Sequence, residues 1–143
     1  MKSPFLTSVL VLSVLCLFIG CGDGGKQVMT SEASYADGVQ AFGEKQFEEA
    51  EASFSRALNL GALNVDCMCD ARLKRAKARI ELSDFEGAQE DLDFLMEGAP
   101  DTTAALAMSG ELALLRGDKD EAKKFYADAR KANPRIAIPT ELR

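Results

Sequence analysis

The chain of 143 residues contains no histidine and no tryptophan, and only four prolines and four cysteines. Without histidine it lacks the commonest general base, proton shuttle and metal ligand. Any catalysis would have to run through carboxylates or thiols, and neither a catalytic nor a metal-binding constellation is expected. Positive charge is in deficit, with 17 basic against 23 acidic residues and a formal net charge of −6. That balance argues against a nucleic-acid partner, whose phosphates call for a basic face. So few prolines leave helices free to run without interruption. Long apolar runs are also missing. The longest, "VLVLSVLCLFI" from Val9 to Ile19, spans 11 residues, whereas a helix crossing a bilayer needs about 20.

That short run sits between Lys2 and the small residue Gly20, with Cys21 directly after it. A basic start, a brief apolar stretch and a small residue at its end describe a secretory signal peptide over residues 1–20. The string "FIGC" resembles the bacterial lipobox, in which the chain is cut before a cysteine already carrying a diacylglyceryl thioether. Phe18 departs from the Leu usual at the first position. The alternatives are an ordinary secreted protein cut near Cys21 by chance, or an uncleaved anchor. The lipobox resemblance implies a lipidated Cys21, with this covalent lipid (palmitate among its chains) as the expected attachment and no other cofactor. One acyl chain binds a membrane marginally and two hold it stably. Residues 21–31, "CGDGGKQVMTS", read as a lipidated end followed by a Gly-rich flexible tether. Gly22 and not Asp follows the cysteine, which the resemblance links to the outer membrane, facing the periplasm. Lys2 is the one charge in the leader, so its loss takes the formal charge from −6 to −7.

Three segments downstream align without gaps: "QFEEAEASFSRALNL" from Gln46, "DFEGAQEDLDFLMEGAP" from Asp84 and "DKDEAKKFYADARKANP" from Asp118. Each carries an alanine (Ala50, Ala88, Ala122), a bulky residue four positions on (Phe54, Leu92, Tyr126), and then Ala57, Leu95 or Ala129. The second and third end in Pro100 and Pro134. The alanines are 38 and 34 residues apart, and a period of this size marks a solenoid repeat. Before each segment lies a further amphipathic stretch with a small residue in its middle: Gly38, Ala76, Gly110. Ser83–Glu86, "SDFE", reads as a capping box. In "GDKDE", Gly117 ends one helix and Asp118 caps the next.

This order of small, bulky, small and Pro resembles the tetratricopeptide (TPR) repeat, a pair of antiparallel helices. The alternative is an unrelated amphipathic bundle. The resemblance covers about 100 residues, Ser34 to Pro134, and implies an all-α, right-handed α-solenoid of three hairpins. The helices are predicted at roughly 31–44, 47–60, 68–82, 85–98, 103–116 and 119–132, in a domain of residues 32–134 with a tail over 135–143. Three features depart from the repeat pattern. Arg72, Arg75 and Arg79 occupy packing slots of the second repeat, where they should snorkel or face solvent and leave that repeat rotated or loose. The four extra residues of the longer interval fall in the junction "GALNVDCMC". The tail is too short for the solvating helix that closes many such arrays, so Ile136 and Ile138 either fold back over the open end or leave it to a partner.

The resemblance implies a groove lined by the first helices that takes a protein or peptide. Its slots are Tyr35, Val39 and Phe42, then Leu73, Lys77 and Ile80, then Ala107, Glu111 and Leu114. Phe42, Ile80 and Leu114 read as core, while Tyr35, Lys77 and Glu111 have polar tips suited to a wet surface. The Lys and Asn clamp for a C-terminal carboxylate is absent, with Tyr35 and Val39 in its place, which argues against a chaperone-tail ligand. The basic run "RLKRAKAR", residues 72–79, adds Arg75 to the candidate partner-binding residues; its alternative is a solvated face paired with acidic neighbours. Cys67 and Cys69 read as small buried thiols or one weak intermolecular bridge, or as a redox pair in a thiol-dependent stress protein. The expected function is a membrane-anchored, non-catalytic scaffold or adaptor in the bacterial envelope. Its rivals are that redox protein and a structural lipoprotein that self-associates through its C-terminal end.

Overall fold

The computed structural model describes residues 23–143; the leader and Cys21 lie outside them. Six helices follow one another: α1 Asp23–Gly43, α2 Phe47–Leu60, α3 Val65–Glu81, α4 Phe85–Gly98, α5 Thr103–Leu115 and α6 Lys119–Ala132. They form three hairpins, α1/α2, α3/α4 and α5/α6, stacked in chain order. α1 touches α3 and α3 touches α5, whereas α2, α4 and α6 do not reach one another. First helices drawn together and second helices splayed apart curve the stack, with the first helices on the inner side. This is the expected TPR-like solenoid, and α2, α4 and α6 have the predicted bounds.

The repeat register sets the crossings. Ala50, Ala88 and Ala122 are fully buried, as are Ala57 and Ala129, and the bulky residue between them packs one cluster per hairpin. Opposite each bulky residue stands the small residue of the first helix, and its size matches. A Cβ on Gly38 would lie 2.7 Å from the Phe54 ring, and one on Gly110 would lie 2.7 Å from the Tyr126 ring. Where the bulky residue is Leu92, the partner is Ala76. Flat rings laid on glycine and a leucine on alanine keep the axes close.

The turns within the hairpins repeat as well. Lys45, Ser83 and Gly117 hold left-handed φ of 61°, 63° and 85°. Around them Gln46 N donates to Ala41 O, Asp84 N to Arg79 O and Asp118 N to Ala113 O, at 2.8–2.9 Å. That is one Schellman ending used three times. Ser83 is therefore the left-handed residue closing α3, not the head of a capping box. Asp84 caps α4 instead, its carboxylate accepting from Gly87 N at 3.0 Å. Asp118 caps α6 as expected, accepting from Glu121 N at 2.9 Å.

Two helix starts differ from expectation. α1 begins at Asp23, so most of the presumed tether is helical. Its inward face is a row of small residues, Ser31, Ser34, Gly38 and Ala41, all buried. The Ser31 hydroxyl donates to Ala57 O at 2.8 Å. The eight residues added before Ser31, "DGGKQVMT", hold two glycines and little hydropathy signal, which is why the sequence reads as tether there. α3 starts at Val65, behind Asn64, whose side chain accepts from Cys67 N at 2.8 Å. The four extra residues form one more turn of α3, not a longer junction.

The arginine stripe of the second repeat also departs from expectation. Arg72, Arg75 and Arg79 neither snorkel nor loosen the repeat. They converge on Asp91 of α4, a carboxylate with no exposure at all. Arg75 Nε and Nη2 donate to it at 2.8 and 2.6 Å, Arg72 Nη1 at 3.0 Å and Arg79 Nη1 at 3.1 Å. Arg79 also reaches Glu51 of α2 at 3.0 Å and Gly87 O at 2.9 Å. Ser55 of α2 accepts from Arg75 and donates to Glu51, both at 2.8 Å. Arg72 lies over the Phe94 ring, 3.7 Å from its centroid. The first two hairpins are thus joined by a polar core built on bidentate, charge-assisted bonds.

The tail turns back at Asn133 and Pro134. Ile136, Ile138 and Leu142 pack on the α5/α6 cluster with Ala113, Ala122 and Tyr126, and a 3-10 turn over Thr140–Leu142 ends the chain. The open end is covered by the chain itself.

Two predictions follow from this packing. Asp91→Ala leaves three guanidinium groups buried without their carboxylate and should cost about 3–5 kcal/mol in urea unfolding; a loss below about 1 kcal/mol would mean the network is solvated. Gly38→Ala should lower stability by about 1–3 kcal/mol through overpacking against Phe54, despite the ~1 kcal/mol helix-propensity gain of alanine. Gly98→Ala, with open space around its Cβ, should not lower it. A matching rise in melting temperature for both variants would refute the close crossing.

Candidate functional site

The inner surface is a row of three parallel first helices, and its side chains are stitched across the row. Tyr35 of α1 donates through its hydroxyl to Asp70 Oδ2 of α3 at 2.5 Å. Lys74, one turn on, pairs with the other oxygen of the same carboxylate. Lys77 of α3 pairs with Glu111 of α5 at 2.7 Å and with Glu81 at 3.1 Å. Tyr35–Asp70 and Lys77–Glu111 join neighbouring repeats, while Lys74–Asp70 and Lys77–Glu81 are pairs within α3, so the groove wall carries its own alternating charges.

These contacts separate the candidate residues. Val39, Lys77 and Glu111 are the equivalent slots of the three repeats and form the open midline: Val39 is 37% exposed, and the side chains of Lys77 and Glu111 are 29% and 42% exposed. Tyr35 lies half-buried at the first crossing, and Leu73 and Ala107 pack partly against the clusters beneath. Ile80 is buried, and Phe42 and Leu114 also pack on the core. Arg75 does not belong to the groove. Its side chain is 11% exposed and points towards α2 and α4, bonded to Ser55 and Asp91. The five cations of residues 72–79 all have acidic partners within the chain, so the run is paired from within.

Sequence reasoning passed over the acidic groups of this face. Asp70 accepts from both Tyr35 and Lys74, and Asp101 lies in the loop before α5. A cavity of about 190 Å³ opens between α3 and α5, floored by Leu73, Leu95 and Ala105, with Cys69, Asp70 and Asp101 on its walls. The signal that could have found Asp70 is the repeat register, which sets it three residues before Leu73 on the same helix face.

Burial pushes the Tyr35 hydroxyl well above its ordinary value of 10.0, with the hydrogen bond to Asp70 and the charges of Asp70 and Cys67 adding to the effect. Tyr126 is raised too, by burial first and by Glu111 next. For Lys77, burial alone would lower the ammonium, but the bonds and charges of Glu111 and Glu81 outweigh it and raise it above 10.5. Asp101 is held below 3.8 by hydrogen bonds from Thr103.

Cys67 and Cys69 are both free and half-buried in α3. Two residues apart on a helix, their side chains point in different directions, and a bond between them does not fit. Among the described residues no group of three or more potential ligands could hold a metal ion, and no helix is long and apolar enough to cross a membrane.

The phenol shifts have a direct readout, because the chain has two tyrosines and no tryptophan. Both phenols are protonated in folded and unfolded chains below pH 10.0, so their contribution to stability is constant there. Above it the unfolded chain ionises first, and stability falls as pH rises towards the folded values. Native protein should therefore show less phenolate absorbance at pH 10.0 than the chain in denaturant, which is half ionised there. Half-ionisation of either tyrosine at that pH without unfolding would contradict the Tyr35–Asp70 bond or the burial of Tyr126.

No known family profile and no curated protein matches this sequence. Among solved structures, the chain is similar to one described as the Arabidopsis OM64 TPR domain, over 77% of this chain and 88% of that one, at a TM-score of 0.68 and 23% identity. The likeness spans the stacked hairpins and establishes the fold: a TPR-like helical solenoid.

Proposed function

We propose that this chain is a non-catalytic protein-binding scaffold, tethered by a lipidated Cys21 to a bacterial envelope membrane, with its groove offered to a protein or peptide partner. The observation that carries it is the inner row of first helices, where Val39 and the Lys77–Glu111 pair lie open on a curved surface. The Cys-containing leader "FIGC" supports the anchor, and Gly22 in place of Asp after the cysteine supports an outer-membrane, periplasm-facing location. The thiol-redox alternative loses ground, since the two thiols cannot serve as a mutual pair. Self-association through the C-terminal end loses ground as well, since Ile136, Ile138 and Leu142 cover that end.

Crosslinking and capture from native envelopes should recover specific partners with the wild type. Cys21→Ser should lose both them and membrane attachment, and unchanged fractionation of that variant would end the lipoprotein reading. The double variant Lys77→Glu/Glu111→Lys separates groove from staple. It should keep stability within about 1 kcal/mol, because half-exposed pairs contribute little and the Lys77–Glu111 pair survives reversed while only the Lys77–Glu81 bridge becomes a like-charge contact, yet lose partner capture. Capture at wild-type yield would place the partner elsewhere.

A further inference from the structure

The two junctions between hairpins are filled differently at one slot of the groove wall. Tyr35, Leu73 and Ala107 hold equivalent positions in the three repeats, as do Asp70 and Ala104 in the second and third. At the first junction the Tyr35 ring crosses from α1 to α3 and donates to Asp70 Oδ2 at 2.5 Å. At the second, Leu73 has no ring or hydroxyl to span the gap to α5, and Ala104 has only a methyl group to meet it. The cavity of about 190 Å³ between α3 and α5 lies there. It falls short of the roughly 300–1,000 Å³ of small-molecule sites, a size that suits one inserted side chain.

The lining has two parts. Leu73, Leu95 and Ala105 make an apolar floor, and the carboxylates of Asp70 and Asp101 stand at the walls beside Cys69. Asp70 shares its charge with Tyr35 and Lys74. Asp101 accepts from Thr103 N at 2.8 Å and pairs with no cation among the described residues, and its bonds to Thr103 hold it below its ordinary 3.8. An apolar occupant would strip water from these carboxylates without replacing it, and an acidic one would be repelled. A side chain that is apolar along its stem and cationic at its tip answers both parts. We infer that this cavity takes one lysine or arginine side chain of the partner, its stem on the apolar floor and its charge between Asp70 and Asp101, so that the solenoid selects a basic segment. This rests on the groove as the partner site. The first junction is the internal precedent, since the chain's own Tyr35 there brings a donor to Asp70 across the equivalent gap. Leu73 lies one turn, about 6 Å, from Lys77, so a segment on the groove midline reaches the cavity with one side chain.

Cys69 on the cavity wall reports occupancy. In full-length protein carrying Cys67→Ser, alkylation of Cys69 by iodoacetamide, read by peptide mass spectrometry, should be slowed by n-butylammonium. At equal ionic strength n-butanol and butyrate should slow it much less. The cationic reagent 2-aminoethyl methanethiosulfonate should modify Cys69 about tenfold faster than its 2-sulfonatoethyl counterpart, after division by the same ratio in denaturant. Asp101→Asn keeps an acceptor for Thr103 N and should cut that preference about threefold. Glu48→Gln, an exposed change of equal charge on α2, should leave it. Slowing by butylammonium no greater than by butanol, or a preference that Asp101→Asn leaves intact, overturns the inference. Leu73→Tyr copies the first junction into the cavity and should lose both butylammonium protection and partner capture. Capture at wild-type yield by Leu73→Tyr but not by Lys77→Glu/Glu111→Lys overturns the inference and leaves the groove standing. Capture lost by neither removes the groove, and this inference with it.

Discussion

The carboxylate of Asp91 is the constraint on which the middle of the solenoid depends. A buried anion is tolerable only when every lone pair is answered, and here three guanidinium groups from one helix answer it. The arrangement works in both directions. Three arginines spaced three and four residues apart on α3 could not face the second helices unless a fixed negative charge met them. Glu51 and Ser55 extend the same network to α2, so the junction between the first two hairpins is specified by hydrogen-bond geometry where other repeat junctions rely on shape. With that face committed, α3 has only its other side free, and there Asp70, Lys74 and Lys77 make the bridges of the groove. The central helix is therefore charged on two faces with separate duties.

Much of this fold was legible because repetition multiplies weak signals. One Ala–bulky–Ala pattern says little, but three in phase located α2, α4 and α6 to the residue and marked Gly38, Ala76 and Gly110 as the small crossing positions. The misreadings have physical causes. Residues 23–30 of α1 are glycine-rich and polar, which hydropathy cannot distinguish from a solvent-loving tether. Ser83 sits in a left-handed conformation that a non-glycine residue seldom adopts, so it read as a cap. Arg72, Arg75 and Arg79 read as misfits because their partner is 12 to 19 residues away on another helix, and only the register between α3 and α4 brings them together. The groove was half legible. Its slots were placed by repeat position, but the bridges that occupy them depend on distances between helices.

The scaffold reading gains an electrostatic character from these bridges. Each exposed cation of the inner face already has an acidic neighbour, so a partner must either match the alternation or displace a bond of modest strength. Such a surface favours selective, reversible docking over simple attraction by net charge. The C-terminal end is covered too: residues 133–143 lie over α5 and α6 and cover that apolar face with Ile136, Ile138 and Leu142.

The first helices, of 21, 17 and 13 residues, shorten in four-residue steps at their N-terminal ends, and these steps bear on how such a chain tolerates change. Four residues turn a helix by about 400°, within about 40° of a full revolution. Length added at these free ends in units of one turn leaves every downstream side chain on its original face. The same four residues inserted within a hairpin, between a crossing and its turn, would have moved one helix against the other and broken the repeat register. Whole-turn growth at the unpaired ends therefore lets insertions and deletions accumulate there while the crossings of Gly38, Ala76 and Gly110 keep their registration.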